Sequence, residues 1–312
     1  MRDRNTHFDL EAYLRLHRGT GDEWLAAMQD LLWPSDLHCR LANPQSVAGS
    51  LSMLEADAGH VCVLDIHQDM TFTGRLLERP MVVLSVEGRC NITLNGSRLP
   101  AYPLIVIPED MEFTLSVDGL SQLVLLLPSG KLPQLCSVPD EAQAVASEIR
   151  RFMFMAEYLR GHQHACKTVN DLFRRVKCLL AREHPGSLAE PPQLDRRLVR
   201  AIEKIRTESE WEFNLQELAK HAGASERNLY YLMKREAGFT PYRYYQRCRL
   251  IRVRRRLVSC ECDDPHISWY AADEGFSHLG RFAALYKEHF GELPSETVQW
   301  RRRLQAQCHL SA

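Results

Sequence analysis

Between about residues 61 and 128, the hydrophobic positions come in short runs separated by turn residues. The runs are VCVLDI, TFTGRLL, MVVLSV, CNITL, PLIVI, MEFTLSV and QLVLLL. Asn95-Gly96 and Asp118-Gly119 lie between runs, and such dipeptides are typical of tight hairpins. Many short strands at regular spacing predict an antiparallel β-sandwich or a small barrel over residues 61–128.

Residues 139–183 have helical spacing instead. Apolar side chains recur every three or four positions in two stretches, at Ile149, Phe152, Met153, Ala156 and Leu159 and again at Val169, Leu172, Phe173, Val176 and Leu179. Gly161 separates the two stretches, so we expect two amphipathic helices. These helices either cover the sheet of their own domain or pair with a second copy of the chain, between about residues 141 and 181.

The remaining pattern divides the chain into two domains. The first sixty residues are mixed, with one helix expected around residues 23–32, and residues 1–183 are predicted to form the first domain. The segment 184–193, HPGSLAEPPQ, is predicted to be a linker. Residues 194–312 have helical spacing throughout, beginning with the stripe Leu194, Leu198, Ile202 and Ile205. The expected fold class is α+β, with an antiparallel β domain, trailing helices and an all-α C-terminal domain.

Residues 215–237 are predicted to form a helix-turn-helix motif. Asn214 precedes LQEL and is followed three residues later by Glu217, which is the arrangement of a capping box. Gly223 is suited to end this helix, because glycine adopts the left-handed conformation at little cost. Ser225 is expected to cap the next helix, ERNLYYLMKREA, which Gly238 closes.

Residues 266–290 repeat this order and are predicted to form a second helix-turn-helix motif. Gly275 and Ser277 correspond to Gly223 and Ser225, and Ser277 is expected to cap the helix HLGRFAALYKEHF. One such motif is a weak signal, but two in the same order are a much stronger one. The segment between them, PYRYYQRCRLIRVRRRLVS, predicts a helix that separates two recognition helices, which can then enter successive major grooves about 34 Å apart.

Composition and charge agree with a nucleic-acid partner. The net charge is −1, but the chain from Leu194 onward carries 21 Lys and Arg residues against 16 Asp and Glu. No apolar run reaches the roughly 18 residues of a membrane span, and the charged N-terminus lacks a signal-peptide core. Ten scattered cysteines are typical of free thiols in a reducing compartment. We therefore expect a cytoplasmic protein with no membrane partner.

The segments GASERNLYYLMK, GFTP, RLIRVRRRLV, GFSHLGRF and YKEHFGELPSE resemble, in this order, the C-terminal domain of the AraC/XylS family of bacterial transcription regulators. The resemblance covers about residues 194–300. It implies a cupin-like N-terminal domain that senses a small molecule and forms a homodimer, and a regulator, most often an activator, that works with RNA polymerase on double-stranded DNA. GFSHLGRF and FGELPSET also resemble the ethanolamine-utilisation regulators within this family.

The resemblance also indicates which residues contact bases. In the first motif it implies Arg227, Tyr230 and Tyr231, with Asn228 near the N-terminal end of the same helix. An arginine can donate two hydrogen bonds to guanine, whereas either tyrosine has the alternative of packing against the linker helix. In the second motif, His278 and Arg281 are the exposed hydrogen-bonding residues. Gly280 weakens that helix, so we expect the second motif to contribute phosphate contacts and shape recognition more than base discrimination.

A second set of residues is expected to position the DNA backbone. These phosphate-contacting candidates are Ser225, Lys234, Ser277, Lys287, Arg249 and Arg252. Arg249 and Arg252 have an equal alternative as partners of salt bridges within the domain. Leu250, Val253 and Leu257 are expected to form the buried stripe of the same helix.

The sequence gives little indication of a catalytic site or a metal site. On a helix, His162 and Cys166 share a face while His164 lies opposite, so the three side chains do not converge on a metal. The chain has no Gly-rich phosphate loop and no Gly-x-Ser-x-Gly motif. We therefore predict a non-enzyme without cofactor or metal, and no spacing selects the effector-binding residues.

Two alternatives remain open for the regulation. A protein partner can replace the small molecule, and a cupin-like enzyme with an accessory DNA-binding domain is a distant third interpretation. A polar cavity inside the β domain would favour the small molecule, and a filled interior would favour the protein partner.

Overall fold

The computed structural model describes residues 10–32, 38–44, 46–76, 79–99, 104–132, 139–181, 194–260 and 265–311. The predicted linker at 184–193 lies outside these residues. In the part of the chain described here, the order of elements agrees with the predicted α+β class, with strands first and helices afterwards. No helix among these residues is long and apolar enough to span a bilayer.

In the described residues, the N-terminal domain contains two antiparallel sheets, three α-helices and a short 3-10 helix at Glu11–Tyr13. Its strands are β1 (Leu14–Gly19), β2 (His38–Leu41), β3 (Gly49–Ala56), β4 (Gly59–Ile66), β5 (Met70–Arg75), β6 (Met81–Glu87), β7 (Cys90–Leu94), β8 (Ser97–Arg98), β9 (Leu104–Ile107), β10 (Glu112–Val117) and β11 (Ser121–Pro128). One sheet has the order β1-β3-β4-β11-β6-β9 and the other β2-β5-β10-β7-β8. Helix α1 (Gly21–Leu32) follows β1, as the sequence predicts, and α2 (Pro139–Ala156) and α3 (His162–Leu180) follow β11.

Strand β11 shows why the apolar runs are continuous rather than alternating. It pairs with β4 and β6 in the middle of the six-stranded sheet, and all of its residues are buried. Leu123 and Leu125 point into the core between the two sheets, whereas Val124 and Leu126 point toward α2 and α3. A strand covered on both faces needs apolar residues at every position.

Three strands precede residue 61, where the sequence predicts a mixed region. Strand β1 pairs with β3 with two register shifts, and Leu14 and Leu16 face Ser52 and Leu51. The first four residues of β1 do alternate, with Leu14 and Leu16 buried and Arg15 and His17 partly exposed, so a short strand signal was present and was missed. The β domain therefore extends from Leu14 to Pro128.

The space between the two sheets is filled by apolar side chains. Phe72, Phe113, Leu64, Ile92 and Leu123 belong to one buried cluster there. A crevice of about 270 Å³ elsewhere in the same domain is lined by polar residues that include Asp65, His67, Glu87 and Gln122, so both alternatives for the regulation stay open.

Helices α2 and α3 are separated at Gly161, as predicted, and their apolar faces pack against other residues of the same chain. Val169, Phe173 and Val176 of α3 join Val61 and Val124 of the six-stranded sheet in one cluster. The first of the two alternatives for these helices is therefore the one observed, and their apolar stripes are already covered.

The C-terminal domain is helical throughout the described residues. Its helices are α4 (Arg196–Thr207), α5 (Leu215–Ala222), α6 (Glu226–Glu236), α7 (Pro241–Val258), α8 (Ile267–Asp273), α9 (Leu279–Phe290) and α10 (Pro294–Ser311). Leu198, Ile202 and Ile205 form the buried face of α4, as predicted.

A buried ionic cluster joins the second half of this domain to the N-terminal domain. Arg254 of α7 is 1% exposed and donates to the backbone carbonyl of Leu14 in β1 at 3.2 Å. Its guanidinium lies 2.7 Å from the carboxylate of Glu292, which is also 2.5 Å from Arg15 of β1. The hydroxyls of Tyr286 and Thr297 complete its partners.

A second buried ion pair lies nearby. Arg301 of α10 donates to the carboxylate of Glu23 in α1 at 3.1 Å and to the backbone carbonyl of Val258 at 2.9 Å. Both side chains are less than a tenth exposed. Together the two ionic groups fix the second half of the helical domain against β1 and α1.

Candidate nucleic-acid interface

The first helix-turn-helix motif has the predicted boundaries. The Asn214 side chain accepts a hydrogen bond from the backbone N–H of Glu217 at 3.0 Å and so caps α5. The Glu217 carboxylate lies 3.1 Å from Lys204 of α4. Gly223 adopts the left-handed conformation with φ of +74° and ends the helix. Ser225 then accepts from the N–H of Asn228 at 3.2 Å and starts α6.

Helix α6 turns one face inward and one face to solvent. Leu229, Leu232 and Met233 are buried, as the spacing predicts. Arg227 and Asn228 are exposed, and Tyr231 is 58% exposed. The four predicted base-contacting residues of this motif, Arg227, Asn228, Tyr230 and Tyr231, therefore lie together on one accessible surface.

The aromatic rings on this surface are held in a defined arrangement. The rings of Tyr230 and Tyr231 are perpendicular with centroids 6.0 Å apart. The guanidinium of Arg227 lies 5.8 Å from the Tyr231 ring centroid. Both tyrosines are exposed to solvent, Tyr231 more than Tyr230, and their contacts with bases stay predictions.

The second motif has the predicted helices but a different cap. Gly275 adopts φ of +71° in the turn after α8. Helix α9 begins at Leu279, and its N-cap residue is His278, which makes no side-chain capping hydrogen bond. The prediction that Ser277 caps this helix is therefore wrong. His278 has an extended backbone conformation, so the first helical turn starts one residue later than in the first motif.

The beginning of α9 is open to solvent. His278, Leu279, Gly280 and Arg281 are all exposed, while Phe282 is buried against Phe276. A Cβ atom added to Gly280 meets no atom within 4 Å. The two base-contacting candidates of this motif, His278 and Arg281, thus lie beside an unobstructed stretch of backbone.

We predict that Gly280→Ala stabilises the protein by about 0.5–1 kcal/mol, because alanine loses less backbone entropy in a helix and no atom stands in its way. Urea unfolding measures this difference in the free energy of unfolding. Gly275→Ala is the matched control and should destabilise by about 1 kcal/mol or more, since its φ is positive and an Arg249 nitrogen occupies the Cβ position. A loss of stability in Gly280→Ala contradicts the open geometry.

The two arginines of α7 predicted to contact phosphates are engaged inside the domain. Arg252 forms an ion pair with Glu274 at 2.8 Å. The Arg249 guanidinium lies over the rings of Tyr245 and Phe276, at 5.3 and 5.1 Å from their centroids. For Arg252 the predicted alternative, an internal salt bridge, is the one observed. The contacts of Arg249 and Arg252 with DNA phosphate stay predictions.

The remaining phosphate-contacting candidates are accessible. Lys234 and Lys287 are exposed near the ends of α6 and α9, and Ser225 and Ser277 are exposed in the two turns. Their contacts with DNA stay predictions. The arrangement as a whole offers two helix N-termini, each preceded by a glycine turn and each bearing exposed hydrogen-bond donors.

The buried role of Arg254 is the largest feature that the sequence interpretation missed. Arg254 falls four residues after Leu250 and three before Leu257, so it occupies a position of the predicted buried stripe. The spacing from Leu250 and Leu257 was the feature of the sequence that could have predicted the burial of Arg254. The partners of Arg254 come from β1, α9, α10 and the turn between α9 and α10, and these segments are distant in sequence from Arg254.

Parts of the chain are similar in sequence to known proteins. Residues 218–302 match the family model described as a helix-turn-helix domain. The XylDLEGF operon transcriptional activator 3 of Pseudomonas putida is 37% identical over 103 residues, which are 33% of this chain and 31% of that protein. The match thus spans about a third of that relative's length.

Two further comparisons cover different shares of the chain. The HTH-type transcriptional activator RhaS of Escherichia fergusonii is 25% identical over 183 residues, or 59% of this chain and 64% of that protein. The crystal structure of a probable AraC family transcriptional regulator from Rhodopseudomonas palustris is 28% identical and covers 34% of this chain and 96% of that one, with a TM-score of 0.32. The narrower resemblance to ethanolamine-utilisation regulators stays a prediction.

Proposed function

We propose that the chain is a sequence-specific DNA-binding regulator of transcription of the AraC/XylS family, which the match of residues 218–302 to a helix-turn-helix family model supports. The observation that carries this proposal is the pair of helices α6 and α9, whose N-terminal residues are exposed on one domain. Two recognition helices joined by a single long helix are suited to successive major grooves of one DNA duplex.

The two motifs divide the recognition unequally. The first supplies four candidate base contacts, with Arg227 suited to guanine and the tyrosines suited to thymine methyl groups or phosphates. The second supplies His278 and Arg281 beside the open backbone of Gly280, so it contributes shape and phosphate contacts more than base discrimination. Ser225, Lys234, Ser277 and Lys287 position the phosphate backbone.

The N-terminal domain is the regulatory half in this proposal. The chain acts as a transcriptional activator, as the names of its XylDLEGF and RhaS relatives state of those proteins, and it works with RNA polymerase in the cytoplasm. A small molecule that binds the N-terminal domain controls it, and two copies of the chain act together. The filled space between the sheets supports a second candidate, in which a protein partner on the domain surface takes the place of the small molecule.

A salt titration tests the backbone contacts of this proposal. The logarithm of the DNA affinity of the full chain should fall linearly with the logarithm of salt concentration, by about 0.9 for each phosphate contact. We predict that Lys287→Ala reduces the slope by about one and weakens binding to all sequences equally. Fluorescence anisotropy with labelled duplexes measures both quantities.

Lys131→Ala is the matched control, because Lys131 is 83% exposed on the N-terminal domain. It should leave the slope unchanged. If Lys287→Ala and Lys131→Ala behave alike, α9 does not contact the DNA backbone through Lys287.

A further inference from the structure

The helices α6 and α9 share a register, so their exposed faces can be compared position by position. One constant offset in the sequence relates Gly238, which follows the first helix, to Gly291, which follows the second. The same offset relates Leu229 to Phe282, and both of these side chains are buried. The offset therefore identifies the residues of α9 that correspond to the candidate base-contacting residues of α6.

The corresponding positions of α9 carry small side chains. The positions of the arginine and the two tyrosines of α6 are occupied by Gly280, Ala283 and Ala284. Gly280 and Ala284 are exposed, and Ala283 is partly exposed. None of these three residues has a hydrogen-bonding side chain. This face of α9 therefore cannot recognise a base through side-chain hydrogen bonds, as an arginine does.

The largest side chain beside these small residues is apolar. Leu279 is the first residue of α9 and is 49% exposed, so packing in the core does not explain a leucine there. The same offset relates it to Glu226 of the first motif, which is exposed and polar. Single exposed leucines are common in proteins, so the position of Leu279 at the start of a recognition helix is what makes it informative.

This end of α9 is accessible to a polyanion. A Cβ atom added to Gly280 meets no atom within 4 Å, so the backbone is open on that side. Asp273 and Glu274 precede the turn in the sequence, and each is paired with an arginine of α7, at 2.9 and 2.8 Å. Because these two carboxylates are neutralised, they oppose the approach of a phosphate backbone only weakly. The exposed Arg281 adds a positive charge beside Leu279.

We propose that Leu279 determines specificity in the second motif by contacting the C5-methyl group of a thymine in the major groove. The methyl group of thymine is the feature of the major groove that an apolar side chain recognises. Gly280 and Ala284 lie one helical turn apart on the same side of α9, and their small side chains let the backbone approach the base edges closely.

The inference rests on the proposed DNA binding and adds one base contact to a motif that otherwise contributes phosphate contacts and shape recognition. A contact with one methyl group is weaker than a bidentate contact between arginine and guanine. The first motif therefore keeps the stronger base preference.

Replacement of thymine by deoxyuridine tests the contact, because deoxyuridine keeps the hydrogen-bonding groups of thymine and lacks its methyl group. The duplex carries the two boxes that the full chain selects from a random pool. The second box is the one whose base preference Arg227→Ala leaves unchanged, and each of its thymines is replaced in turn. We expect one replacement to weaken binding about three- to fivefold in fluorescence anisotropy, the value of one buried methyl group.

Variants of the protein assign the contact to a residue. Leu279→Ala should bind the thymine duplex about three- to fivefold more weakly and should no longer respond to the deoxyuridine replacement. Leu279→Met keeps an apolar side chain of similar size and should keep most of the response. Leu293→Ala is the matched control, because Leu293 is 36% exposed and lies beyond the C-terminal end of α9. It should respond as the unmodified protein does.

Three results overturn the inference while the proposed DNA binding stands. The first is a second box that has no fixed thymine, or in which no deoxyuridine replacement weakens binding. The second is a full response to the replacement in Leu279→Ala, which assigns the methyl contact to another residue. The third is an equal loss of response in Leu293→Ala. If the unmodified chain binds no sequence specifically, the proposed function fails, and this inference fails with it.

Discussion

Replacing Glu292 with alanine will lower the free energy of unfolding by about 3–5 kcal/mol, the range for breaking a buried ion pair from one side. The Glu292 carboxylate lies 2.7 Å from Arg254 and 2.5 Å from Arg15. Without it, the guanidinium of Arg254, which is 1% exposed, loses its counter-charge. Urea unfolding of the two proteins measures the difference.

Two further variants show whether the loss of stability in Glu292→Ala comes from the buried, unpaired charge of Arg254. Asp171→Ala removes one side of an exposed pair with Arg174 and should cost at most about 1 kcal/mol. The double variant Arg254→Met with Glu292→Leu should recover much of the loss, because it removes the unpaired charge. If Glu292→Ala costs no more than Asp171→Ala, the cluster does not hold the second motif to the N-terminal domain.

The ion pair between Glu292 and Arg254 also makes the stability of the protein depend on pH. Burial raises the pKa of Glu292, but Arg254 and Arg15 lower it by more, so the folded-state pKa lies below its usual range. A carboxyl group with a depressed folded pKa stabilises the protein above its unfolded pKa, and this contribution is lost as the pH falls through the folded value. The difference in melting temperature between the unmodified protein and Glu292→Gln should therefore shrink as the pH is lowered from 7 toward 3.

Replacing Arg227 with alanine will reduce the discrimination of one base pair by about 1–3 kcal/mol, the value of a bidentate arginine contact with guanine. Arg227 is exposed at the start of α6, and its guanidinium is held 5.8 Å from the Tyr231 ring. The comparison needs a duplex with the preferred base pair and a duplex with that pair replaced. The affinity of Arg227→Ala for the two duplexes should become nearly equal.

Arg235→Ala provides the control for this experiment, because Arg235 lies near the opposite end of the same helix and pairs with Glu236. Arg235→Ala should keep the full preference for the duplex with the preferred base pair. Should Arg227→Ala weaken both duplexes by the same factor, Arg227 contacts phosphate and not a base.

The first motif was predictable almost completely because local chemistry determines it. The Asn214 cap, the left-handed Gly223 and the Ser225 cap each act over three or four residues. The second motif followed the same order, but Ser277 was given the role that His278 has. No capping bond fixes the start of α9, and Gly280 weakens its first turn, so the sequence signal was poorer there.

The arginines of α7 show that sequence periodicity does not predict the partner of a side chain. Their spacing separates a buried stripe from an exposed face, yet the partner of each side chain depends on tertiary contacts. Arg252 meets Glu274, and Arg254 meets a carbonyl of β1 and a carboxylate beyond α9. The register shifts between β1 and β3 depend on the partner strand as well, so the short alternation of β1 could not have predicted them.

The central claim is that one chain recognises two neighbouring sites on the same DNA duplex. Selection of a random duplex pool by the full chain, with sequencing of the retained strands, tests it most directly. We expect two short conserved boxes about one helical turn, roughly 10 base pairs, apart, with a stronger base preference in the box that α6 recognises. Enrichment of a single box, or of no sequence at all, would contradict the assignment of α6 and α9 as paired recognition helices.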